Sequence, residues 1–501
     1  MRMTKFFQFF FRRYPIKTQR LLEIAPGLTS WVLILFPIWG SFIMPMVVAY
    51  FILFYNVYWF YKSFALAVIA TIAHRRIKSA EKENWLSKAR KLKDFDKVQH
   101  LIIIPNYQER LEKLRKTLSY VSQQTISKKK LFVVLAMEER EGEQGRQRAK
   151  ILHDEFKNVF GGLYVTFHPD IEGEVKGKSS NQAYAGKWAK RKLIDEEGLD
   201  LDYITVSSVD ADTLFDKQYF AYLTFLFLKD GNRYRHFWQS ATVYYNNIWE
   251  VPAPIRIVST ISSIWRTGVL IRPEKLIPNS TYSLSLKMLH RVGYWDTDVI
   301  PEDYRIFFKA FFALDGKVST EPIFLKTSID AAQSTSYLKS LMNKYEQEKR
   351  WAWGVSDDPL YIKWLLTVPN VSFFAKTSYV IRVVIDHFLW PVNWFIITIG
   401  ANIAVLVNPA FSRTALGYNL PKLSSFVLTS CLLALLVIII IHHLQRPKRP
   451  AHISRFRQVL VPFEFILMPI SGLFLSALPA FISQMRLMLG RKLQYKVTEK
   501  V

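Results

Sequence analysis

The chain has 501 residues, 50% hydrophobic and 15% aromatic, and its 67 Lys and Arg outnumber 41 Asp and Glu to give a net charge of +26. That combination excludes a typical soluble globule, and the length exceeds one ordinary domain. Lys and Arg flank the apolar blocks and no recognised nucleic-acid motif accompanies them, so a lipid bilayer is the expected partner and nucleic acid is not.

Residues 1–25 are basic and carry Phe6, Phe7, Phe9, Phe10 and Phe11, a pattern expected for an amphipathic segment on the inner leaflet. The 26–74 region holds two apolar runs, 28–44 and 46–73, parted by Pro45. Each is long enough for a hydrocarbon core of roughly 30 Å. Basic flanks at Arg12–Arg20 and Arg75–Lys78 predict two crossings that return the chain to the cytoplasm.

After a linker over 75–97, the stretch 98–355 alternates strand and helix patterns. Leu101-Ile-Ile-Ile104 is a continuous apolar run, as expected for a strand buried on both faces. Leu111, Leu114, Leu118 and Val121 then recur at helical spacing. Further strands are expected over 131–135, 163–167, 203–206 and 238–246, with a helix over 181–193. Such alternation implies an α/β fold with a mostly parallel sheet and ligands at the carboxyl ends of its strands. The 252–270 stretch reads as an amphipathic helix at a membrane surface.

Residues 356–387 look interfacial, and a C-terminal transmembrane region is expected over 388–485, with candidate crossings at 388–407, 424–441 and 459–482. A basic tail, 486–501, carries Arg486, Arg491, Lys492 and Lys496. For that tail to lie inside, either the last segment is re-entrant or the stretch near Tyr379–Phe388 also crosses. Cys431, the single cysteine, lies in an apolar run and supports neither an internal disulfide nor a zinc site. A transporter or channel with a regulatory domain is an alternative reading. It would need polar residues lining an intramembrane path, and the runs offer only Asn56, Lys62, Asn393, Asn402 and Glu464.

The chemistry is carried by three groups of residues. Asp210-Ala-Asp212 follows the strand pattern ending at Val209, and two acids so placed can hold Mg²⁺ or Mn²⁺ against a diphosphate. Spacing alone says little, since Asp94–Asp96, Asp200–Asp202 and Asp296–Asp298 share it in charged or turn-like contexts. Arg350 of Gln347-Glu-Lys-Arg350-Trp351 offers a permanently charged fork to a diphosphate, and Trp351 a flat face to a sugar ring. The bland reading of that stretch is a helix whose Trp351 and Trp353 anchor at the interface. Pro301-Glu302-Asp303 precedes a helix expected over 304–312, which an acid could simply cap.

In chain order these motifs resemble those of the membrane-embedded family-2 glycosyltransferases, the group that includes cellulose and hyaluronan synthases. The resemblance covers the whole chain in layout and residues 98–354 in specific motifs. It implies a Rossmann-like fold of GT-A type, a cytosolic domain inserted between transmembrane helices of a multi-pass plasma-membrane protein. It further implies inverting transfer from a nucleotide-sugar, expected to be a UDP-sugar, to a glycan or lipid acceptor. Asp303 would be the general base, with Glu302 in support and Gln347, Arg350 and Trp351 on the substrate. A single carboxylate base suits single displacement. Pro105, Tyr107 and Glu109 match the nucleotide-binding loop, Asp210 the nucleotide contact and Asp212 the metal contact.

The chain also departs from the family pattern. Glu138 stands where relatives carry Asp-Asp-Gly, and would meet the base or ribose. Gly177-Lys178-Ser-Ser-Asn181, by contrast, resembles the family's Lys-rich turn opening a helix, where Lys178 would meet phosphate. Pro301 replaces Thr, and Asn279-Ser-Thr-Tyr-Ser283 replaces a Cys-Gly-Ser acceptor turn, which leaves the acceptor unassigned. An inactive scaffold of the same fold is a further alternative. The catalytic reading requires Asp212, Asp303 and Arg350 to meet at one cavity.

Overall fold

A computed structural model describes residues 2–493, which divide into two compact units. One comprises 73–248 and 269–331; the other comprises the chain up to 72, 249–268 and the part from 332 onward. Met1 and the tail from 494, with Lys496, lie outside the described residues.

The first unit is built on one sheet of eight strands: β1 (Gln99–Pro105), β2 (Leu131–Glu138), β3 (Gly162–His168), β4 (Ile204–Ser208), β5 (Leu214–Phe215), β6 (His236–Val243), β7 (Tyr282–Ser285) and β8 (Ser319–Ser328). Their order is β3-β2-β1-β4-β7-β6-β8-β5. The first four are mutually parallel, with Ile102 beside Val133 on one side and Ser207 on the other. Strands covered on both faces need apolar residues at consecutive positions, and every residue of β2 is buried. The Leu111–Ser122 helix lays Leu114, Leu118 and Val121 into the core that Ile102, Ile104, Val133 and Leu135 share.

One break in the parallel order positions the site. β7 enters antiparallel between β4 and β6, with Ser208 opposite Tyr282. The residues that leave β4, Val209 to Thr213, therefore lie beside those that enter β7, Asn279 to Thr281. The helix expected over 181–193 begins earlier, at Lys178, and after Lys190 loosens into a π-turn over Arg191–Glu196. β6 stops at Val243, three residues before the expected end.

The second unit contains most of the apolar helices. Among the described residues, five helices are long and apolar enough to cross a membrane: Pro15–Ile43, Pro45–Ala80, Phe373–Val407, Ala415–Gln445 and Phe463–Met488. The third starts fifteen residues ahead of the expected 388, so Tyr379–Phe388 is the opening of that helix and not a separate crossing. The rest of the 356–387 stretch holds the short Asp358–Thr367 helix. At the N-terminus, Arg2–Arg13 is a separate helix with Phe6 and Phe9 exposed. The helix anticipated over 252–270 is found at Ala253–Val269; its Arg256 is buried and paired with Glu464 at 2.6 Å. An ionic residue inside an apolar segment is tolerated when so matched.

Candidate active site

The carboxyl end of β4 delivers Asp210 and Asp212, and the turn into β7 delivers Ser280 directly opposite. Ser280 Oγ donates to one oxygen of Asp210, while its backbone N–H donates to Asp303 Oδ2 at 3.1 Å. Its φ of +60° is unusual for a residue with a side chain. Such backbone conformations persist where the surroundings over-determine them, and they cluster at functional sites. Here three polar groups of one serine hold two acids and a lysine together.

That lysine is Lys178, at the first position of the Lys178–Lys190 helix. Its Nζ lies 2.7 Å from Asp210 Oδ1, 2.9 Å from Glu302 Oε1 and 2.8 Å from the Ser280 carbonyl oxygen. Gly177, with φ +152°, adopts a conformation that side chains rarely take and lets the chain enter this helix. Burial works against the Lys178 ammonium, and the Asp210 and Glu302 carboxylates overcome it, so its pKa stands well above the usual lysine value. Burial also pushes the Glu302 carboxyl up to about 7; Lys178 pulls it down and Asp303 adds to the rise.

Glu302 and Asp303 occupy the first turn of the Glu302–Ala313 helix. The capping role open to Asp303 is not found: the helix starts one residue before it, Pro301 is the N-cap, and no side chain caps the end. Asp303 Oδ1 accepts from the N–H of Tyr304 at 2.9 Å and Oδ2 from Ser280.

Asp212 is 4% exposed and has a different surround. Its Oδ2 accepts from the Asp330 N–H at 3.1 Å, and its carbonyl oxygen from Asn246 Nδ2 at 2.9 Å. Lys113 pairs with Asp330 at 3.1 Å and reaches Glu109 at 3.8 Å, which ties the loop after β1 to the same network. Asp330 and Lys113 carry no motif in the sequence, Asn246 marked only a strand end, and Ser280 lay in the turn left unassigned. Asp330 and Asn246 follow strands that end nearby, Ser280 precedes β7, and Lys113 stands on the Leu111–Ser122 helix.

Pro105 ends β1, and Tyr107 lies under the Arg140 guanidinium at 3.8 Å. Arg140 also pairs with Glu138 at 2.5 Å, so the expected base or ribose contact is engaged by its own neighbour. Of the other Asp-x-Asp pairs, Asp96 is a solvated surface acid and Asp296 is held by Lys309 and Arg305.

Gln347, Arg350 and Trp351 belong to the second unit, on the Tyr337–Ala352 helix. Lys344, with no exposed surface, pairs there with Glu348 at 2.7 Å and donates to Gln347 Oε1 at 3.0 Å. The same ammonium stands 4.4 Å from the Trp351 ring centre, and Arg266 stands 5.7 Å from it.

For a divalent cation, Asp210 and Asp212 supply the hard carboxylate oxygens that Mg²⁺ or Mn²⁺ prefers. Among the described residues no group of three or more His, Cys, Asp or Glu could hold a metal. Two carboxylates would leave the other positions of such an ion to substrate phosphate and water.

Comparison with solved structures returns glycosyltransferases at low similarity. The mannosyltransferase PcManGT from Pyrobaculum calidifontis, in complex with GDP-Man and Mn²⁺, is 14% identical with a TM-score of 0.43, covering 76% of this chain and 99% of that one. Residues 1–349 of S. aureus TarS, in complex with UDP-GlcNAc, give 12%, 0.37, 70% and 93%. With both scores below 0.5, the fold is read from this chain's own strand order and not from theirs. No curated protein matches the sequence. Residues 205–442 match the family model described as glycosyl transferase family group 2. Residues 205–442 are thus similar to a family-2 glycosyltransferase domain, in a chain whose described residues include five helices long and apolar enough to cross a membrane.

Proposed function

We propose that the protein transfers a sugar, with inversion, from a nucleoside-diphosphate sugar to the hydroxyl of a glycan or lipid acceptor at a membrane. The observation that carries this reading is the linkage of Asp210, Glu302 and Asp303 through Lys178 and Ser280 at the carboxyl end of the sheet. Asp303 accepts the proton of the acceptor hydroxyl as its oxygen bonds to the anomeric carbon. The bond from that carbon to the diphosphate breaks, and its electron pair leaves with the nucleoside diphosphate. Asp210 and Asp212 would hold a divalent cation, which neutralises charge on the departing diphosphate when bound.

Lys178 contributes fixed positive charge beside the Asp210 carboxylate, and such preorganised charge lowers the barrier to diphosphate departure. Gln347, Arg350 and Trp351 are assigned to substrate contacts by motif, Tyr107, Glu109 and Glu138 to the nucleoside. A UDP-sugar donor, a cytoplasmic catalytic domain and a plasma-membrane location complete the reading.

The test uses the full chain in membranes, a panel of radiolabelled nucleotide-sugars, and chelator. Metal-dependent transfer is expected with one donor. Asp303→Asn should lower it by about 10²–10⁴-fold, the range for loss of a general base, while nucleotide-sugar binding persists. Turnover retained in that variant removes Asp303 from the mechanism, and no turnover with any donor removes the reading itself.

A further inference from the structure

Of the intramembrane polar residues, Asn56 is wholly buried, with no hydrogen bond to its amide among the described residues. Asn393 is bonded to Tyr55, Glu464 to Arg256, and Lys62 lies over the Tyr58 ring. Asn402 instead lines a cavity of about 350 Å³ between the Phe373–Val407 and Ala415–Gln445 helices. Thr398, Ser424, Ser425 and Thr429 line it as well, beside apolar residues such as Leu428.

Both helices are irregular at this level. The first carries a π-turn over Ile396–Gly400, and the second carries Pro421. π-turns inside helices recur at functional sites. Ser424 is 3% exposed, and its hydroxyl makes no hydrogen bond among the described residues. Ser430, two turns on in the same helix, bonds back to the Phe426 carbonyl at 2.9 Å, the usual solution for a serine in an apolar helix. Ser424 leaves that solution unused at the wall of the cavity, where one χ1 rotation presents its hydroxyl to a ligand. An unsatisfied hydroxyl in hydrocarbon is unfavourable, so a ligand with a hydrogen-bonding group is stabilised here.

We propose that this cleft binds an uncharged lipid bearing a hydroxyl or ester carbonyl, with its polar group on Ser424 and Asn402 and its chain along Ile397 and Leu428. The ligand is uncharged because none of the lining residues is Asp, Glu, Lys, Arg or His, and a bare charge in hydrocarbon demands a partner. It is a small amphiphile because the volume falls in the range of ligand pockets, about 300–1,000 Å³. A second copy of the chain fits less well. Helix axes approach to about 8–10 Å, which leaves a hydroxyl on the cavity floor beyond reach.

The test incorporates the full chain in phosphatidylcholine nanodiscs with a photoactivatable diacylglycerol. Labelling is expected in peptides containing 397–402 and 421–432, competed by dioleoylglycerol and not by added phosphatidylglycerol. Ser424→Ala, which removes one oxygen, should weaken labelling about fivefold, the loss of one hydrogen bond. Ser424→Leu with Asn402→Leu should abolish it; if that pair fails to fold, the alanine variant decides. Equal labelling of native and Ser424→Ala, or equal competition by phosphatidylglycerol, overturns the site. So does efficient cross-linking of Ser425→Cys between copies with no lipid labelling, which assigns the surface to a second chain.

Discussion

At the scale of single residues, Lys178 and Glu302 show how burial and pairing set charge. Replacing Lys178 with Met leaves Glu302, 6% exposed, facing Asp210 and Asp303 with no cation. Removing one partner from a buried ion pair is unfavourable by about 3–5 kcal/mol, and the partial exposure of Lys178 places the expected loss near the lower end. A fall in thermal midpoint with Lys178→Met, and a smaller one with Lys178→Arg, checks it. Glu302 adds a pH dependence. Its ordinary pKa of 4.5 is raised to about 7 by burial, so the folded state holds a proton between those values that the unfolded state releases. Its contribution to stability is full below pH 4.5 and is lost as pH rises through about 7. Glu302→Gln should flatten the stability profile between pH 5 and 8, measured by thermal unfolding; an unchanged slope places the proton elsewhere.

At the scale of elements, the Tyr337–Ala352 helix is organised by a residue outside its motif. Lys344 lies one turn before Gln347 and Glu348 and two before Trp351, so helical spacing puts all of them on one face. Its buried ammonium is matched by Glu348, braces the Gln347 amide and faces the Trp351 ring. Lys344→Met strands the Glu348 carboxylate and should destabilise by about 3 kcal/mol. Combining it with Glu348→Met, which removes both charges, should recover most of the midpoint in thermal unfolding. Failure of the double variant to recover stability means that Lys344 acts through other contacts.

At the scale of the whole molecule, the net charge of +26 coexists with five long apolar helices because the two are segregated along the chain. The single cysteine offers a check on membrane insertion. Cys431 lies within the Ala415–Gln445 helix, so a charged maleimide should label it at least about tenfold more slowly in intact bilayers than after detergent denaturation. Rapid labelling in sealed membranes contradicts a crossing there. On a Cys431→Ser background, a cysteine at Ser412, between the third and fourth helices, then reports the side of that turn.

The elements were largely legible before folding. Leu101-Ile-Ile-Ile104 and the 131–135 run announce buried strands because burial on both faces leaves no polar position, and long apolar segments announce crossings by length alone. Boundaries shifted where the next contact decides them, as at Lys178 and Phe373. Asp210, Glu302 and Asp303 were legible as acids in motifs, but what surrounds them was not. Ser280 and Asp210 are 70 residues apart, and Asp330 and Asp212 are 118 apart. They meet because β7 runs antiparallel to β4, and because β6 and β8 end on the same side of the sheet. Local pattern determines which segments must be buried, whereas the partner of each buried charge follows from strand order, which no stretch of sequence contains by itself.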